Sequence, residues 1–294
     1  MDWTRDGADW PNRAASRFLD VAPHRWHVQV AGDGPTLLLL HGAGGATHSW
    51  RDVLPLLARD WTVVAPDLPG HGFTRAGTRT RSGLRPMAED VTRLMQAGGW
   101  RADAIVGHSA GAAVGFALSL DDPVPVVAIN PALKPFAGPA EWLFPALAKV
   151  LALNPFVPSV FARLAGSDRR ARDLIRGTGS TLDDRGIALY ARAIGDRAHV
   201  DGALSMMASW DVGPLTRRLP TLAAPVLFVV GEGDAAVPPG QSVEAAGGMT
   251  DARVERLPGG HLVHEERPEE VARLVRDFLG ETLERDAEAG TGAG

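Results

Sequence analysis

The sequence of 294 residues contains no cysteine. This absence excludes disulfide bonds, thiolate metal sites, iron–sulfur clusters and a cysteine nucleophile. Lysine is also scarce, since Lys134 and Lys149 are the only two. The formal net charge is −5, so no strong basic field is present to attract nucleic acid. We therefore expect no nucleic-acid partner.

Long uninterrupted apolar runs are absent as well. The most apolar region, residues 142–164, contains Lys149, Asn154, Arg163 and three prolines. A membrane-spanning helix needs about 20 largely uninterrupted apolar residues. The start, Met1–Asp6, has no apolar segment of the kind that a signal peptide requires. We expect a cytoplasmic protein whose apolar region forms broken helices that line a cavity or touch a membrane surface.

What is present suits a folded domain, with 45% hydrophobic and 22% charged residues. Seven short apolar segments have the length and composition of β-strands, and helical patterns separate most of them. This alternation predicts an α/β protein with a mostly parallel central sheet flanked by helices. The predicted strands are 26–31, 36–40, 61–65, 104–107, 124–129, 225–231 and 252–257, and the predicted helices are 48–58, 86–97, 110–120 and 268–279.

The middle of the chain differs from this pattern. Residues 134–210, called the insertion below, show only short helical patterns cut by proline and glycine. We predict a core formed by residues 1–133 and 211–282, with the insertion as a helical lid between two core strands. Residues 283–294 are glycine, alanine and charged residues, and we predict a disordered tail there.

One motif points to chemistry. Gly107-His108-Ser109-Ala110-Gly111 follows a short apolar strand and opens a helix of small residues. A G-x-S-x-G sequence in this context is typical of a nucleophile elbow, a sharp turn that exposes the serine hydroxyl. The N-terminus of the following helix then faces the negative charge that develops during reaction. We predict Ser109 as the nucleophile.

A serine hydroxyl needs a base, and the base needs a group that orients it. His261 follows the last predicted strand and is our predicted base, with His264 as the rival. Asp234 follows the most regular strand and is predicted to orient His261, with Glu232 and Asp211 as rivals. Strand ends on one edge of an open sheet would bring these residues into one crevice.

An oxyanion hole requires two backbone N–H donors. We predict Ala110, directly after the nucleophile, and Ala43 in the glycine-rich turn after strand 36–40. The glycines of that turn let its backbone approach a substrate closely. Three further histidines are expected to brace loops by hydrogen bonding: His41, His71 and His108.

No metal and no cofactor are predicted. The segment from His261 to Glu266 holds two histidines and two glutamates, which makes a metal cluster an alternative interpretation. Metalloproteases place their histidines and their general base in an HExxH sequence, and this spacing is absent.

These features resemble the α/β hydrolase superfamily over about residues 26–130 and 211–279. The resemblance implies the α/β hydrolase fold and acyl transfer to water without a cofactor. A serine at the elbow separates this chain from dehalogenase-like and epoxide hydrolase-like members, which carry aspartate there. The motifs that carry the resemblance are HGAGG at 41–45, DLPGHG at 67–72, GHSAG at 107–111, GEGD at 231–234 and GGH at 259–261.

A closer resemblance runs nearly end to end. It is to the α/β hydrolases that are encoded with bacteriochlorophyll-biosynthesis genes and described as magnesium chelatase accessory proteins. It implies a phototrophic bacterium, a role at or near magnesium insertion into protoporphyrin IX, and magnesium chelatase subunits as partners. The segments involved include DWPN at 9–12, WHVQV at 26–30, THSWR at 47–51, NPALKPF at 130–136 and MMASWD at 206–211.

The insertion is rich in large apolar residues. Most of them are expected to form the core of the lid itself. A sharper hypothesis is a broad apolar pocket for a flat ligand such as a tetrapyrrole. Arginines of the insertion would pair with its carboxylates, although a solvated helix face explains them more simply. The predicted pocket residues are His108, Phe136, Trp142, Phe144 and Phe161, and the arginines are Arg163, Arg169, Arg170, Arg172 and Arg176.

We therefore predict a serine hydrolase that cleaves an ester of an apolar acid or alcohol through an acyl-serine. The resemblance implies a tetrapyrrole ester in bacteriochlorophyll biosynthesis. One alternative is a porphyrin carrier or chelatase accessory protein with a vestigial triad. Another is a hydrolase of C–C bonds or a cofactor-free peroxidase, because the same three residues serve these reactions.

Overall fold

The computed structural model describes residues 1–134 and 157–291. Its strands form a mixed sheet with six parallel strands at one side. The strands are β1 (Ser16–Val21), β2 (His24–Ala31), β3 (Thr36–Leu40), β4 (Thr62–Pro66), β5 (Ala104–His108), β6 (Val126–Ile129), β7 (Val226–Gly231) and β8 (Ala252–Leu257). Their spatial order is β1-β2-β4-β3-β5-β6-β7-β8. Strand β2 pairs antiparallel with β1 and β4, and all other neighbours are parallel, which confirms the predicted sheet.

Helices cover both faces of this sheet. They are α1 (Trp3–Asp6), α2 (Val53–Leu57), α3 (Leu84–Ala97), α4 (Ala110–Ser119), α5 (Val157–Ala165), α6 (Asp168–Gly177), α7 (Asp184–Ile194), α8 (Arg197–Ser209), α9 (Gly213–Arg218), α10 (Gly240–Gly247), α11 (Val263–Glu266) and α12 (Pro268–Thr291), with 3₁₀ turns at Arg13–Ala15, Thr47–Trp50 and Leu219–Thr221. None of the helices among the described residues combines the length and the apolar composition needed to cross a membrane.

Two predicted elements need correction, and one strand escaped prediction. The helix expected over 48–58 is a 3₁₀ turn followed by the five-residue α2. Pro55 has no backbone N–H, which suits the first turn of a new helix better than the interior of a long one. The last helix continues to Thr291, across most of the predicted disordered tail, because alanine, glutamate and arginine favour helix there. Strand β1 was missed because its exposed, antiparallel edge position gives no clear alternation.

The core lies in two layers, one on each face of the sheet. Alternate residues of a strand point to opposite faces, so Leu38 and Leu40 join one cluster while Leu37 and Leu39 join the other. Helices α3 and α4 cover the first face, and helices α2 and α12 cover the second. All four leucines are fully buried, so each contributes about 1.5–3 kcal/mol of hydrophobic free energy.

The insertion leaves the sheet after β6 and returns to it before β7. Every element in its described part, residues 157–210, is a helix, as the sequence predicts. Its description as a separate lid domain stays a prediction. The contacts it makes with the core, described below, reach the loops at the carboxyl edge of the sheet.

Candidate active site

Ser109 stands between strand β5 and helix α4 with strained backbone angles, φ 52° and ψ −115°. Residues other than glycine rarely adopt a positive φ, and such strain concentrates at functional sites. The turn is anchored because the Ser109 N–H donates to the Ile129 carbonyl at 2.9 Å. The elbow predicted from the motif is therefore present.

The two glycines of the motif are required by close packing. A β-carbon on Gly107 would lie 2.4 Å from the Ala112 Cα, and one on Gly111 would lie 2.2 Å from the Leu40 carbonyl oxygen. Real β-carbons essentially never approach that closely. Helix α4 can thus start directly against strand β3, with its N-terminal N–H groups beside Ser109.

The three residues predicted for catalysis form one hydrogen-bonded chain. The His261 Nε2 lies 3.0 Å from the Ser109 Oγ, and the His261 Nδ1 lies 2.7 Å from the Asp234 Oδ2. An ionised carboxylate only accepts hydrogen bonds, so Nδ1 carries the ring proton and Nε2 is free to accept the serine proton. All three residues are buried.

Asp234 is itself held in place by its own loop. Its Oδ1 accepts hydrogen bonds from the backbone N–H groups of Ala236 and Val237, both at 2.8 Å. The two carboxylate oxygens therefore have separate tasks. One fixes the loop, and the other faces His261.

The loop of His261 is supported from behind by His108 and Asn130. The His108 Nε2 donates to the His261 carbonyl at 2.9 Å, and burial holds the pKa of His108 well below its usual range. The Asn130 side-chain amide donates to the carbonyls of Gly260 and His261, and its oxygen accepts from the Gly231 N–H. His108 thus braces a loop, which is one of its two predicted roles.

A turn of the insertion ties the loops of Asp234 and His261 together. The Thr178 carbonyl accepts hydrogen bonds from the N–H groups of Ala235, at 3.1 Å, and His261, at 3.2 Å. Nearby, the Ser180 hydroxyl accepts the Leu262 N–H at 2.8 Å. The insertion therefore forms hydrogen bonds to the loops that carry Asp234 and His261.

We expect Gly179→Ala to lower the free energy of unfolding by about 3 kcal/mol, because it combines backbone strain with a clash. Gly179 has φ +82°, and a β-carbon there would lie 1.9 Å from the Gly233 carbonyl oxygen. Gly177→Ala is the matched control, because Gly177 ends helix α6 and its β-carbon would meet nothing within 4 Å. Urea unfolding of both variants measures the difference, and equal stabilities would contradict the tight fit.

The predicted oxyanion turn lies directly against the nucleophile. A β-carbon on Gly42 would lie 3.0 Å from the Ser109 Cβ. The Gly42 carbonyl accepts the Gly45 N–H at 3.0 Å, and Gly44 has φ +74°. This is the glycine-requiring third position of a four-residue turn. Ala43 lies in the turn, and Ala110 is the first residue of helix α4, so both are near Ser109.

His41 and His71 support neighbouring backbone, as predicted. The His41 Nε2 accepts the Leu68 N–H at 2.9 Å, so its Nδ1 carries the proton and donates to the Gly42 carbonyl at 2.8 Å. His71 contacts the Pro69 carbonyl through Nδ1 at 3.2 Å. Burial lowers the pKa of both histidines, which keeps their rings neutral.

The rival residues have other partners. His264 is fully buried, with its ring packed against Trp50 and His108. Asp211 accepts the Gly213 N–H, and Glu232 is exposed.

The alternative metal cluster is not gathered in the structure. Glu265 pairs with Arg51 and Tyr190, while Glu266 accepts the N–H groups of Gly260 and Thr181. Within residues 1–134 and 157–291, no group of three or more histidine, aspartate or glutamate side chains is arranged to hold a metal ion.

Glu265 joins the insertion to the region of His261. The Tyr190 hydroxyl of helix α7 donates to the Glu265 Oε1 at 2.7 Å, and Arg51 pairs with the other oxygen. Burial raises the pKa of Glu265 to about 7, against the attraction of Arg51. The cluster of Arg51, Tyr190 and Glu265 is buried and does not contact Ser109.

The predicted apolar pocket is tested by few described residues. Phe136, Trp142 and Phe144 lie outside the described residues, as does the side chain of Phe161. Among the arginines, Arg172 forms an ion pair with Asp184 at 2.7 Å.

Three residues that contact the site were not predicted for it: Asn130, Thr178 and His199, whose Nε2 lies 3.0 Å from the Gly44 carbonyl oxygen in the predicted oxyanion turn. Asn130 follows strand β6 at the same sheet edge as Ser109, which was an available signal. Thr178 acts through its backbone carbonyl, so its residue type carries no signal.

Comparison with known proteins agrees with this architecture. The family model described as the alpha/beta hydrolase fold matches residues 35–268. The chain therefore belongs to the α/β hydrolase family. It is also 44% identical over 275 residues to the magnesium-chelatase 30 kDa subunit of Rhodobacter capsulatus, with 92% of this chain and 97% of that protein covered. This confirms the closer resemblance seen in the sequence.

Two further similar proteins have lower sequence identity to this chain. The chain is 28% identical over 294 residues to fluoroacetate dehalogenase of a Burkholderia species, covering 90% of this chain and 93% of that one. The crystal structure of the enol-lactonase from Burkholderia xenovorans LB400 superposes with a TM-score of 0.73 at 23% identity, covering 90% of this chain and 100% of that chain. At 23% identity, the similarity to the enol-lactonase shows a shared fold and nothing about activity.

Proposed function

We propose that the chain is a serine-dependent ester hydrolase with Ser109 as nucleophile, His261 as base and then acid, and Asp234 as the residue that orients His261. The observation that carries this proposal is the unbroken hydrogen-bonded chain from the Ser109 Oγ through His261 to Asp234. The strained backbone of Ser109 supports it, because such strain marks functional turns.

The reaction has two matched halves. The Ser109 Oγ attacks the ester carbonyl while the His261 Nε2 takes its proton, and the resulting oxyanion is stabilised by the N–H groups of Ala43 and Ala110. The C–O bond then breaks, and His261 gives the proton to the departing alkoxide. A water molecule next loses a proton to His261 and attacks the acyl-serine. The bond to the Ser109 Oγ then breaks as His261 returns the proton to it, which releases the acid and restores Ser109.

The substrate we propose is an ester of an apolar molecule, with a tetrapyrrole ester as the preferred class. The support is the 44% identical relative, whose name assigns it to magnesium chelatase, and the apolar composition of the insertion. Chelatase subunits are the proposed protein partners. We place the protein in the cytoplasm, with peripheral membrane contact through the insertion, and the proposed chemistry needs no cofactor.

A fluorophosphonate probe tests the proposed nucleophile. Intact-mass measurement should show one covalent adduct per chain in the unmodified protein and no adduct in Ser109→Ala. The control is circular dichroism, which should show both proteins folded. A folded protein that takes up no probe would contradict the proposed chemistry. Tetrapyrrole and simple esters would then be tested as competitors that slow the labelling of fresh, unlabelled protein.

A second candidate function is a porphyrin-binding accessory protein on a hydrolase fold. The name of the 44% identical relative, a chelatase subunit, is the observation that favours it. This function predicts saturable binding of protoporphyrin IX that Ser109→Ala does not weaken, together with no fluorophosphonate labelling. A C–C hydrolase or a cofactor-free peroxidase would also be labelled, because it uses the same three residues.

A further inference from the structure

His199, in helix α8 of the insertion, reaches two loops of the core. Its Nδ1 lies 3.0 Å from the Gly72 nitrogen, and its Nε2 lies 3.0 Å from the Gly44 carbonyl oxygen. The residue is 2% exposed. Both partners are backbone groups more than 100 positions away, so these contacts exist only when the insertion is docked.

The partners of His199 fix its proton. The Gly72 N–H can only donate, so Nδ1 accepts and Nε2 carries the proton that goes to the Gly44 carbonyl. The contact with the Gly72 N–H requires a neutral ring, because a protonated Nδ1 could not accept it. Burial lowers the pKa of His199 to about 4, so the ring is neutral near pH 7.

The contact between His199 and Gly44 lies in the turn of residues 42–45, next to Ser109. Gly44 directly follows Ala43, and the turn is held at its first carbonyl by His41 and the Gly45 N–H. His199 donates to the Gly44 carbonyl, which is the third carbonyl of the same turn. Each of the two carbonyls is thus restrained by a histidine, one from the core and one from the insertion.

The backbone of helix α8 is itself seated against the core. Gly202 lies so close to Gly70 that a β-carbon on Gly202 would be 2.1 Å from the Gly70 carbonyl oxygen. The ring of His71 lies between those of His41 and His199, with centroids 5.3 Å from each. This contact leaves little freedom for the helix to slide along the turn.

We propose that His199 is a positioning residue for the oxyanion turn, through which the insertion sets the place of the Ala43 N–H. This inference rests on the proposed serine hydrolase function for its catalytic consequence. His199 itself touches no reacting atom. Its effect is to hold the Gly44 carbonyl, and with it the direction of the preceding peptide groups.

His199→Phe and His199→Gln test this inference. Phenylalanine keeps a ring without hydrogen bonds, while the amide of glutamine offers one acceptor and one donor about as far apart as the ring nitrogens. For fluorophosphonate labelling, we expect His199→Phe to lower the maximal rate about 10- to 100-fold, because a misplaced oxyanion donor costs rate rather than binding. The probe concentration for half-maximal rate should stay within about twofold, and His199→Gln should recover most of the rate.

Val200→Ala is the control for a general weakening of helix α8. Val200 is also buried and is the next residue, but its side chain forms no hydrogen bond to the turn. It should leave the labelling rate within about twofold of the original. A loss as large as that of His199→Phe would overturn the inference.

Hydrogen–deuterium exchange separates this inference from the proposed function. Amides of residues 42–46 should exchange at least about tenfold faster in His199→Phe, whether or not the protein is labelled by the probe. Unchanged exchange there would overturn the positioning role. Absent labelling of the original protein with faster exchange in the variant would instead overturn only the hydrolase chemistry.

Discussion

Replacing His261 by glutamine is expected to slow fluorophosphonate labelling of Ser109 by about 10⁴- to 10⁶-fold, the range of losses when single members of a serine triad are removed. The serine would remain on its strained turn, but no group would accept its proton. The Asp234 carboxylate would lose its partner at 2.7 Å and would not replace the base, because it does not reach the serine hydroxyl. The measurement is the second-order labelling rate by intact mass.

His264→Gln is the matched control for this loss. His264 lies three residues later in the chain, is fully buried, and has neither ring nitrogen bonded to a described residue. It packs on His108 but does not contact Ser109, so we expect labelling within about tenfold of the original rate. If His264→Gln were the inactive variant and His261→Gln the active one, the assigned base would be wrong.

The sheet and its order of elements were open to prediction because each strand carries its own local signal. Strands β3 and β8 have the predicted bounds, and β5 and β7 differ from prediction by one residue. Strands β3, β5 and β7 are short apolar runs that are buried along almost their whole length, while β8, at one edge of the sheet, alternates between apolar and charged residues over most of its length. Strand β1, at the opposite edge, has neither an apolar run nor such an alternation.

The positions of Ser109, Asp234 and His261 were also predictable, because each follows a strand whose carboxyl end lies at the same sheet edge. The parts of the site that escaped prediction depend on contacts across long sequence distances. Thr178 bridges two loops with a carbonyl, a group that every residue has. His199 meets Gly44 from 155 positions away, and no local pattern in the sequence reports such a contact.

These contacts change the interpretation of the insertion. A lid is expected to cover a finished active site, yet here the insertion supplies hydrogen bonds to the loops that carry the candidate catalytic groups. The Thr178 carbonyl accepts a hydrogen bond from the His261 N–H, and the Tyr190 hydroxyl donates one to Glu265, four residues after His261. Folding of the core and docking of helices α6 to α8 should therefore be coupled rather than independent.

Buried histidines, some of which brace these loops, should make the fold sensitive to acid. Burial holds the pKa of five of them well below the usual range, with His199 at about 4; the others are His48, His71, His108 and His264. In the unfolded chain each would titrate near pH 6.5. The unfolded state therefore binds more protons, and stability is present above pH 6.5 and is lost as pH falls toward 4.

The expected size of this loss is large. Each histidine that stays neutral in the folded protein but is protonated in the unfolded chain lowers the free energy of unfolding at pH 5 by about 2 kcal/mol. Five such histidines lower it by about 10 kcal/mol. Glu265 acts in the opposite direction, because its raised pKa of about 7 makes its protonation favour the folded state, by about 2–3 kcal/mol over this range. The five histidines and Glu265 together give a loss of about 7 kcal/mol between pH 8 and pH 5, which is comparable to the whole stability of a typical domain.

Urea unfolding at pH 8, 6.5 and 5 measures this dependence. His264→Gln serves again, because it removes one of the titrating groups without removing a hydrogen bond to any described residue. Its stability should fall by about 2 kcal/mol less than that of the original protein between pH 8 and pH 5. A free energy of unfolding that changes by under about 1 kcal/mol over this range would mean that the histidines are protonated in the folded state. The neutral rings inferred for the loops around Ser109 would then be wrong, and with them the acceptance of the Gly72 N–H by the His199 Nδ1.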